Sequence, residues 1–316
     1  MNDQKPHTTP KDFFIYLGTA ISLYVSAGSL LSLLFSIINQ RFADALDTSY
    51  GYYAYGTYMG DGAMFAIAAL IIVVPIYLFL SYHIRKGIVA DSEKRSLNIR
   101  KWFVWLTIFA AGIAVAGDLV ALLYTFLQGE VTVRFVLKVL SVLVVAGGIF
   151  SYYFYDLRRD ASSKPNKLFV GIAGLVILLA IICGFMTFGS PSAQRDMRLD
   201  GQREMHLSDI QWQVLNYWQT QEKLPTTLAE LGDNFTGYIA PVDPETKTAY
   251  EYSITGPLSF EICATFARES MLTGKDPVAM PIDSWGGGLD PRFEHEAGRT
   301  CFPRTIDPVK YPPYQK

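Results

Sequence analysis

The side chains able to do chemistry in this 316-residue chain fall into three groups. The first is a carboxylate in an apolar setting. Asp118 lies inside "AGIAVAGDLVALLYTFL", and Arg134 and Lys138 open the next apolar run, past the short turn Gln128-Gly129-Glu130. A charge at that depth in a bilayer faces the inside of a helix bundle and finds a partner. Asp118 is about nine residues, roughly 13 Å, from the end of its run at 1.5 Å per residue. Lys138 falls at nearly the same depth, within reach of its long stem, and antiparallel neighbours joined by a short loop pack together. The spacing predicts an Asp118–Lys138 ion pair, with Arg134 as competitor or second donor. A proton or ion relay and a water-cavity residue are the alternatives. A relay needs ionisable groups in series, and towards the other end these runs offer only Ser and Thr.

The second group is Cys263 and Cys301. On an oxidising side of a membrane they are expected to form a disulfide. It would close a loop of about 38 residues, worth ~2–4 kcal/mol in the chain-entropy account. Cys183 lies inside an apolar run and reads as packing. With no CxxC spacing, zinc and iron–sulfur centres are not expected. The third group is Asp283, Asp290, Glu294, His295 and Glu296 in "DSWGGGLDPRFEHEAGRTC". These residue types bind metals, but the spacing matches no ligand frame, so a solvated loop is the favoured reading and no metal is expected. There is no GxSxG, HExxH or P-loop, so neither an enzyme nor a cofactor is expected. Asn234-Phe235-Thr236 fits a glycosylation sequon by pattern alone.

The composition says what must position these groups. Half the residues are apolar, 14% are aromatic and 18% are charged, against about 25% charged in an ordinary soluble domain. The net charge of −2 leaves no basic excess for phosphate, so no nucleic-acid partner is expected. The lipid bilayer is the expected partner. Crossing its core of about 30 Å takes roughly 20 apolar residues in a helix. Five segments qualify: Phe13 to Ile38, Ala63 to Ile84, Trp102 to Leu127, Val133 to Tyr155 and Leu168 to Phe188. The first far exceeds the apolar core of a signal peptide and reads as a retained span.

Lysine and arginine counts give the orientation. Arg85, Lys86, Lys94, Arg95, Arg100 and Lys101 lie between spans two and three, and Arg158, Arg159, Lys164 and Lys167 between four and five. Lys5 and Lys11 mark the N-terminal tail, while the other two loops offer Arg41 and Arg134. The N-terminus is expected inside the cell and residues 189–316 outside it. Pro75 should kink span two. Gly112, Ala116, Gly147, Gly148, Gly171 and Gly174 read as sites of close helix approach. The tyrosine-rich "SYGYYAYGTYMGDG" reads as an aromatic cap at the membrane surface, with recognition by stacking as the alternative.

After the fifth span the pattern changes. Residues 200–221 form an amphipathic helix with Leu207, Ile210, Val214, Leu215 and Trp218 on one stripe. "TTLAEL" offers Thr227 and Glu230 as a capping box for a short helix. "TAYEYSI" and "LSFEICATF" alternate and read as a hairpin about Thr255-Gly256-Pro257. Beyond Ala267 the tail reads as mostly loop. The fold class is thus membrane all-α, five transmembrane helices with the N-terminus inside, followed by a small extracytoplasmic α+β domain. The divisions are a cytoplasmic tail (1–12), a four-helix transmembrane domain (13–160), a fifth transmembrane helix (168–188) and the extracytoplasmic domain (189–316).

Two resemblances attach to these residues. "KDFFIYLG", "RKWFVWLTIF", "GDLVALLY", "FLQGEVTVRFVLKVL" and "YYFYDLRRD" make residues 11–160 resemble an uncharacterised bacterial membrane-domain family of unknown function; this implies a fold and no activity. "GLVILLAIICGFMTFGSP", followed by "REMHLSDIQWQVLNYWQTQEKLPTTLAEL" and "APVDPETKTAYEYSI", makes residues 168–266 similar to a type IV pilin or a type II secretion pseudopilin. That likeness implies a head for protein contact, and for some pseudopilins a calcium ion, which only Asp243 and Glu245 match here. A prepilin opens on a leader and a glycine cut site with a glutamate five residues in. Here four spans precede the helix, so processing and polymerisation as an ordinary pilin are not expected. The reading is an inner-membrane protein presenting a pilin-like head for binding or assembly, with pilus or secretion-system proteins or further copies of itself as partners. The alternatives are a small transporter or ion- or proton-coupled protein using Asp118 and Lys138, and a sensor with a ligand-binding head.

Overall fold

The computed structural model describes residues 9–42, 61–90, 97–129, 132–158, 167–232, 237–270 and 293–314. The chain divides into two compact units, the first ending at Gly189 and the second taking up the chain at Ser190.

The first unit contains α1 (Pro10–Arg41), α2 (Asp61–Ala90), α3 (Asn98–Gln128), α4 (Val133–Arg158) and α5 (Lys167–Phe188). All five are long and apolar enough to cross a membrane. α1 starts where Thr9 and Asp12 cap each other's backbone N–H groups, with Pro10 in the first turn. α2 is continuous through Pro75. α3 ends on Gly129, whose φ of 76° is left-handed, a conformation glycine adopts freely.

Leu30 and Leu33 of α1, Ala63, Ala66, Ile67 and Leu70 of α2, and Ala180 of α5 form the core. The outside of this unit is apolar too: Trp102, Phe109, Val120 and Leu127 are exposed. A water-soluble surface would not carry so continuous a patch, whereas lipid solvates it. Among the described residues, two glycines of this unit are closely approached: Gly18, where a Cβ would lie 3.3 Å from Leu80 Cδ1, and, more tightly, Gly184. A Cβ there would lie 2.9 Å from Ile67 Cδ1 and 3.0 Å from Leu33 Cδ1. Gly112, Gly147, Gly148, Gly171 and Gly174 have open space where a Cβ would go, so the expectation for those glycines is not met.

The second unit contains α6 (Pro191–Gln221), a 3-10 turn (Leu228–Leu231), and strands β1 (Glu251–Gly256), β2 (Ser259–Phe266) and β3 (Gly298–Thr305). α6 begins nine residues before its expected start. Ser190 caps it through Ala193 N, and its polar first turns hide it from a search for apolar periodicity. Thr227 makes no side-chain cap; Thr226 instead donates to Glu230 through both its backbone N–H and its hydroxyl. The sheet is antiparallel in the order β1-β2-β3. β3 is a strand that the reading of the tail as mostly loop did not single out. Gly298 and Pro303 concealed it, since proline in a strand is confined to edges, and β3 is an edge. Phe260, Ile262, Ala264 and Phe266 of β2 pack with Leu207, Ile210, Val214, Leu215 and Trp218 of α6, as the stripe required. The tyrosine-rich stretch through residue 60, Asn234, Asp283 and Asp290 lie outside the described residues.

Candidate functional site

Asp118 shares the less exposed stripe of α3 with Val104, Ile108, Ala111, Val115 and Leu122. Its Oδ2 is buried and has no hydrogen-bond partner. Lys138 points elsewhere: its Nζ lies 5.8 Å from the ring centroid of Phe35 on α1. Arg134 donates from Nε to Asn39 Oδ1 on α1 at 2.8 Å. No Asp118–Lys138 ion pair is present among the described residues. The reason is the third helix: α4 packs against α1 as well as α3. An aromatic face and an amide on α1 take up the two cations. The α3–α4 hairpin is clamped at its open end instead, where Arg100 Nη2 meets Asp156 Oδ2 at 2.6 Å. Tyr24 on α1 and Thr107 on α3 add a hydroxyl pair at 3.0 Å.

In the second unit the charge is concentrated on Arg203 of α6, whose side chain is 4% exposed. Nη1 donates to Asp200 Oδ1 at 2.7 Å, Nε to Asp243 Oδ2 at 2.7 Å, and Nη2 to Glu245 Oε2 at 2.9 Å. Asp200 also accepts the backbone N–H groups of Ala267 and Arg268, at the end of β2. Asp243 Oδ1 accepts those of Glu245 and Thr246. One guanidinium therefore ties α6, the Asp243 turn and the end of β2 together. Burial alone would push the Asp243 carboxyl up, but Arg203 and the two backbone donors hold it well below the usual carboxylate range. Burial likewise opposes the charge on Arg203, and its three carboxylate partners outweigh that and raise it. The carboxylates the pilin likeness offered for calcium, Asp243 and Glu245, are thus engaged by a cation the protein supplies. The signal was in the sequence as Asp200 and Arg203 one helical turn apart, but nothing local points Arg203 at residue 243.

Two histidines are also occupied. Burial lowers the His206 pKa, opposed by Asp209 and Asp243, and its Nδ1 lies 2.9 Å from Tyr250 Oη. His295 is buried and stacked on Phe266, with Nε2 3.2 Å from Glu204 and Nδ1 3.2 Å from the Glu296 carbonyl. Glu294 and Glu296 are exposed. Among the described residues, Glu261, Cys263 and Cys301 are a group of metal-type donors close enough together to share an ion. Two of them are bonded to each other: Cys263 and Cys301 stand opposite in the β2–β3 register and form a disulfide, with Cα atoms 4.0 Å apart. Arg299 lies beside it, with Nη2 3.6 Å from Cys263 Sγ and 2.6 Å from Glu251 Oε2.

The arrangement defines a class: a helical unit long and apolar enough to cross a membrane, followed by a small disulfide-bridged α+β unit. Residues 12–153 match the family described as Domain of unknown function (DUF5671). The match covers most of α1–α4 and stops short of α5 and the second unit. No curated protein matches the chain. No solved structure matches it either.

Proposed function

We propose that this is a multi-pass cell-membrane protein that holds its disulfide-bridged α+β unit outside the cytoplasm and works through that unit by protein binding or assembly. The observation that carries this is the Cys263–Cys301 bridge. Disulfides persist outside the cytoplasm, the side to which the lysine and arginine counts assign residues 189–316. The charged groups of the unit support the same reading. Arg203, Asp200 and Asp243 are spent on fixing its shape, as suits a rigid binding body. The order of apolar helix, amphipathic helix and hairpin is that of pilin and pseudopilin heads, which favours pilus or secretion-system proteins or further copies of this chain as partners. The test places a photo-crosslinking amino acid at exposed positions of the unit in cells. Adducts to envelope proteins or to a second copy are expected; no adduct from any position overturns the reading.

The unpartnered Oδ2 of Asp118 favours a second reading, a small ion- or proton-coupled membrane protein. It requires that purified protein in liposomes carry a flux that Asp118→Asn abolishes.

A further inference from the structure

The two sulfurs of the bridge are not equivalent. Phe260, Ile262, Ala264 and Phe266 of β2 pack with α6, so by alternation Glu261, Cys263 and Thr265 lie on the opposite face of the sheet. The Cys263–Cys301 bridge is on that face. Cys263 belongs to the central strand and is 5% exposed. Glu251 stands opposite it on β1. Arg299 reaches from β3 to Glu251, with Nη2 2.6 Å from Glu251 Oε2 and 3.6 Å from Cys263 Sγ. Cys301 is half-buried on β3, with no strand beyond it among the described residues. A thiolate attacks a disulfide sulfur, and it does so in line with the S–S bond. A bridge between directly opposed residues runs across the strands. The line of attack on Cys263 therefore comes over β1, through Glu251 and Arg299. The line of attack on Cys301 comes over the β3 edge.

We propose that this bridge is a site of thiol–disulfide exchange, opened at Cys301 by a dithiol protein outside the cytoplasm, with Cys263 as the leaving sulfur. The attacking thiolate bonds to Cys301 Sγ, the S–S bond breaks, and its electron pair leaves on Cys263 Sγ. The second thiol of the attacking protein then displaces Cys301 from the mixed disulfide. That protein is oxidised by two electrons to a disulfide, the bridge is reduced to two thiols, and the two protons of the dithiol pass through solvent to the two cysteines. A leaving sulfur departs faster when a cation stabilises its charge, and the Arg299 guanidinium is in place to do so. A carboxylate oxygen of Glu261, within 4.8 Å of both sulfurs, opposes it. The Arg299 side chain is 58% exposed, so solvent screens its charge and its effect on the rate is several-fold, not orders of magnitude. Opening the bridge leaves β3 held to β2 by backbone bonds alone, which makes the shape of the unit answer to the redox state around it.

The inference takes from the proposed function only the compartment of the bridge, and the experiment needs no binding partner. Full-length protein carrying Cys183→Ala, in detergent at pH about 8 where a thiol is partly ionised, is treated with reduced glutathione. The reaction is quenched with acid at early times, free thiols are alkylated, and peptides are weighed by mass spectrometry. Glutathione should be found on Cys301 and the alkyl group on Cys263, while near-UV circular dichroism shows the unit still folded. Arg299→Gln should slow loss of the bridge several-fold, Arg299→Lys should restore most of the rate, and Glu261→Gln should raise it. Glutathione on Cys263 or equally on both sulfurs, or a bridge that opens only as fast as the unit unfolds, overturns the exchange site. A faster reaction in Arg299→Gln would make Arg299 a shield over Cys263 and overturns it as well. Failure here leaves the binding reading standing, and failure to capture any partner in cells leaves the exchange chemistry standing.

Discussion

At the scale of single residues, the charges that matter most are those with the most partners. Arg203 satisfies three carboxylates while almost fully buried. Removing one partner of such a set leaves the others uncompensated, which costs ~3–5 kcal/mol. Arg203→Met is therefore expected to melt the second unit at a markedly lower temperature, read by near-UV circular dichroism of the detergent-solubilised protein. Asp118 should behave in the opposite way. Its Oδ2 has no partner to lose and Lys138 lies over Phe35, so Asp118→Asn and Lys138→Met should be additive, with a coupling energy within about 0.5 kcal/mol of zero. Rescue of either single change by the other, measured as folded yield in membranes, would restore the clamp that the spacing suggested. The pH dependence follows from two groups. The Asp243 pKa is depressed, so its contribution to stability is complete above its unfolded value near 3.9 and is lost as pH falls below that. The His206 pKa is also lowered, so protonation at pH below about 6.5 begins to destabilise the fold earlier. The melting temperature of the second unit should thus fall on acidification in two stages, and His206→Asn should remove the upper one.

At the scale of elements, legibility tracked how local the physics is. Five helices could be placed because roughly 20 apolar residues in a row have one cheap conformation in lipid. The α6 stripe and the β1–β2 hairpin were visible because their burial imposes a period of 3.6 or 2. The first turns of α6 were not, since Ser190 to Leu199 are mostly polar and are held by a cap and by continuity. β3 was missed because its alternation is broken by Pro303 and its partner lies 38 residues away across the disulfide. The glycines show the same limit: Gly184 lies against α1 and α2, contacts no local pattern announces. The disulfide carries a prediction at this scale. Cys263→Ser with Cys301→Ser leaves the register to backbone bonds alone, and the loss should be ~2–4 kcal/mol. The unbridged protein should show faster amide exchange in β3 while α6 and β1 keep most of their protection.

At the scale of the whole molecule, the two units put opposite demands on one chain, which passes from the first to the second at Gly189, with φ of 80°, and the Ser190 cap. The first unit exposes aromatic and aliphatic surface of the kind that lipid solvates. The second buries a compact core and spends its charges internally, which suits water. The proposed orientation puts the disulfide of the second unit outside the cytoplasm and the cationic helix ends of the first inside it. Single cysteines at Lys86 and Lys310, in a Cys183→Ala background, test it with a membrane-impermeant maleimide. Residue 310 should label in intact spheroplasts, and residue 86 only after lysis. The reverse pattern would put the bridge in a reducing compartment, where Cys263 and Cys301 would be thiols. Glu261, Cys263 and Cys301 would then be a candidate metal-binding group, and the binding role would need a different foundation.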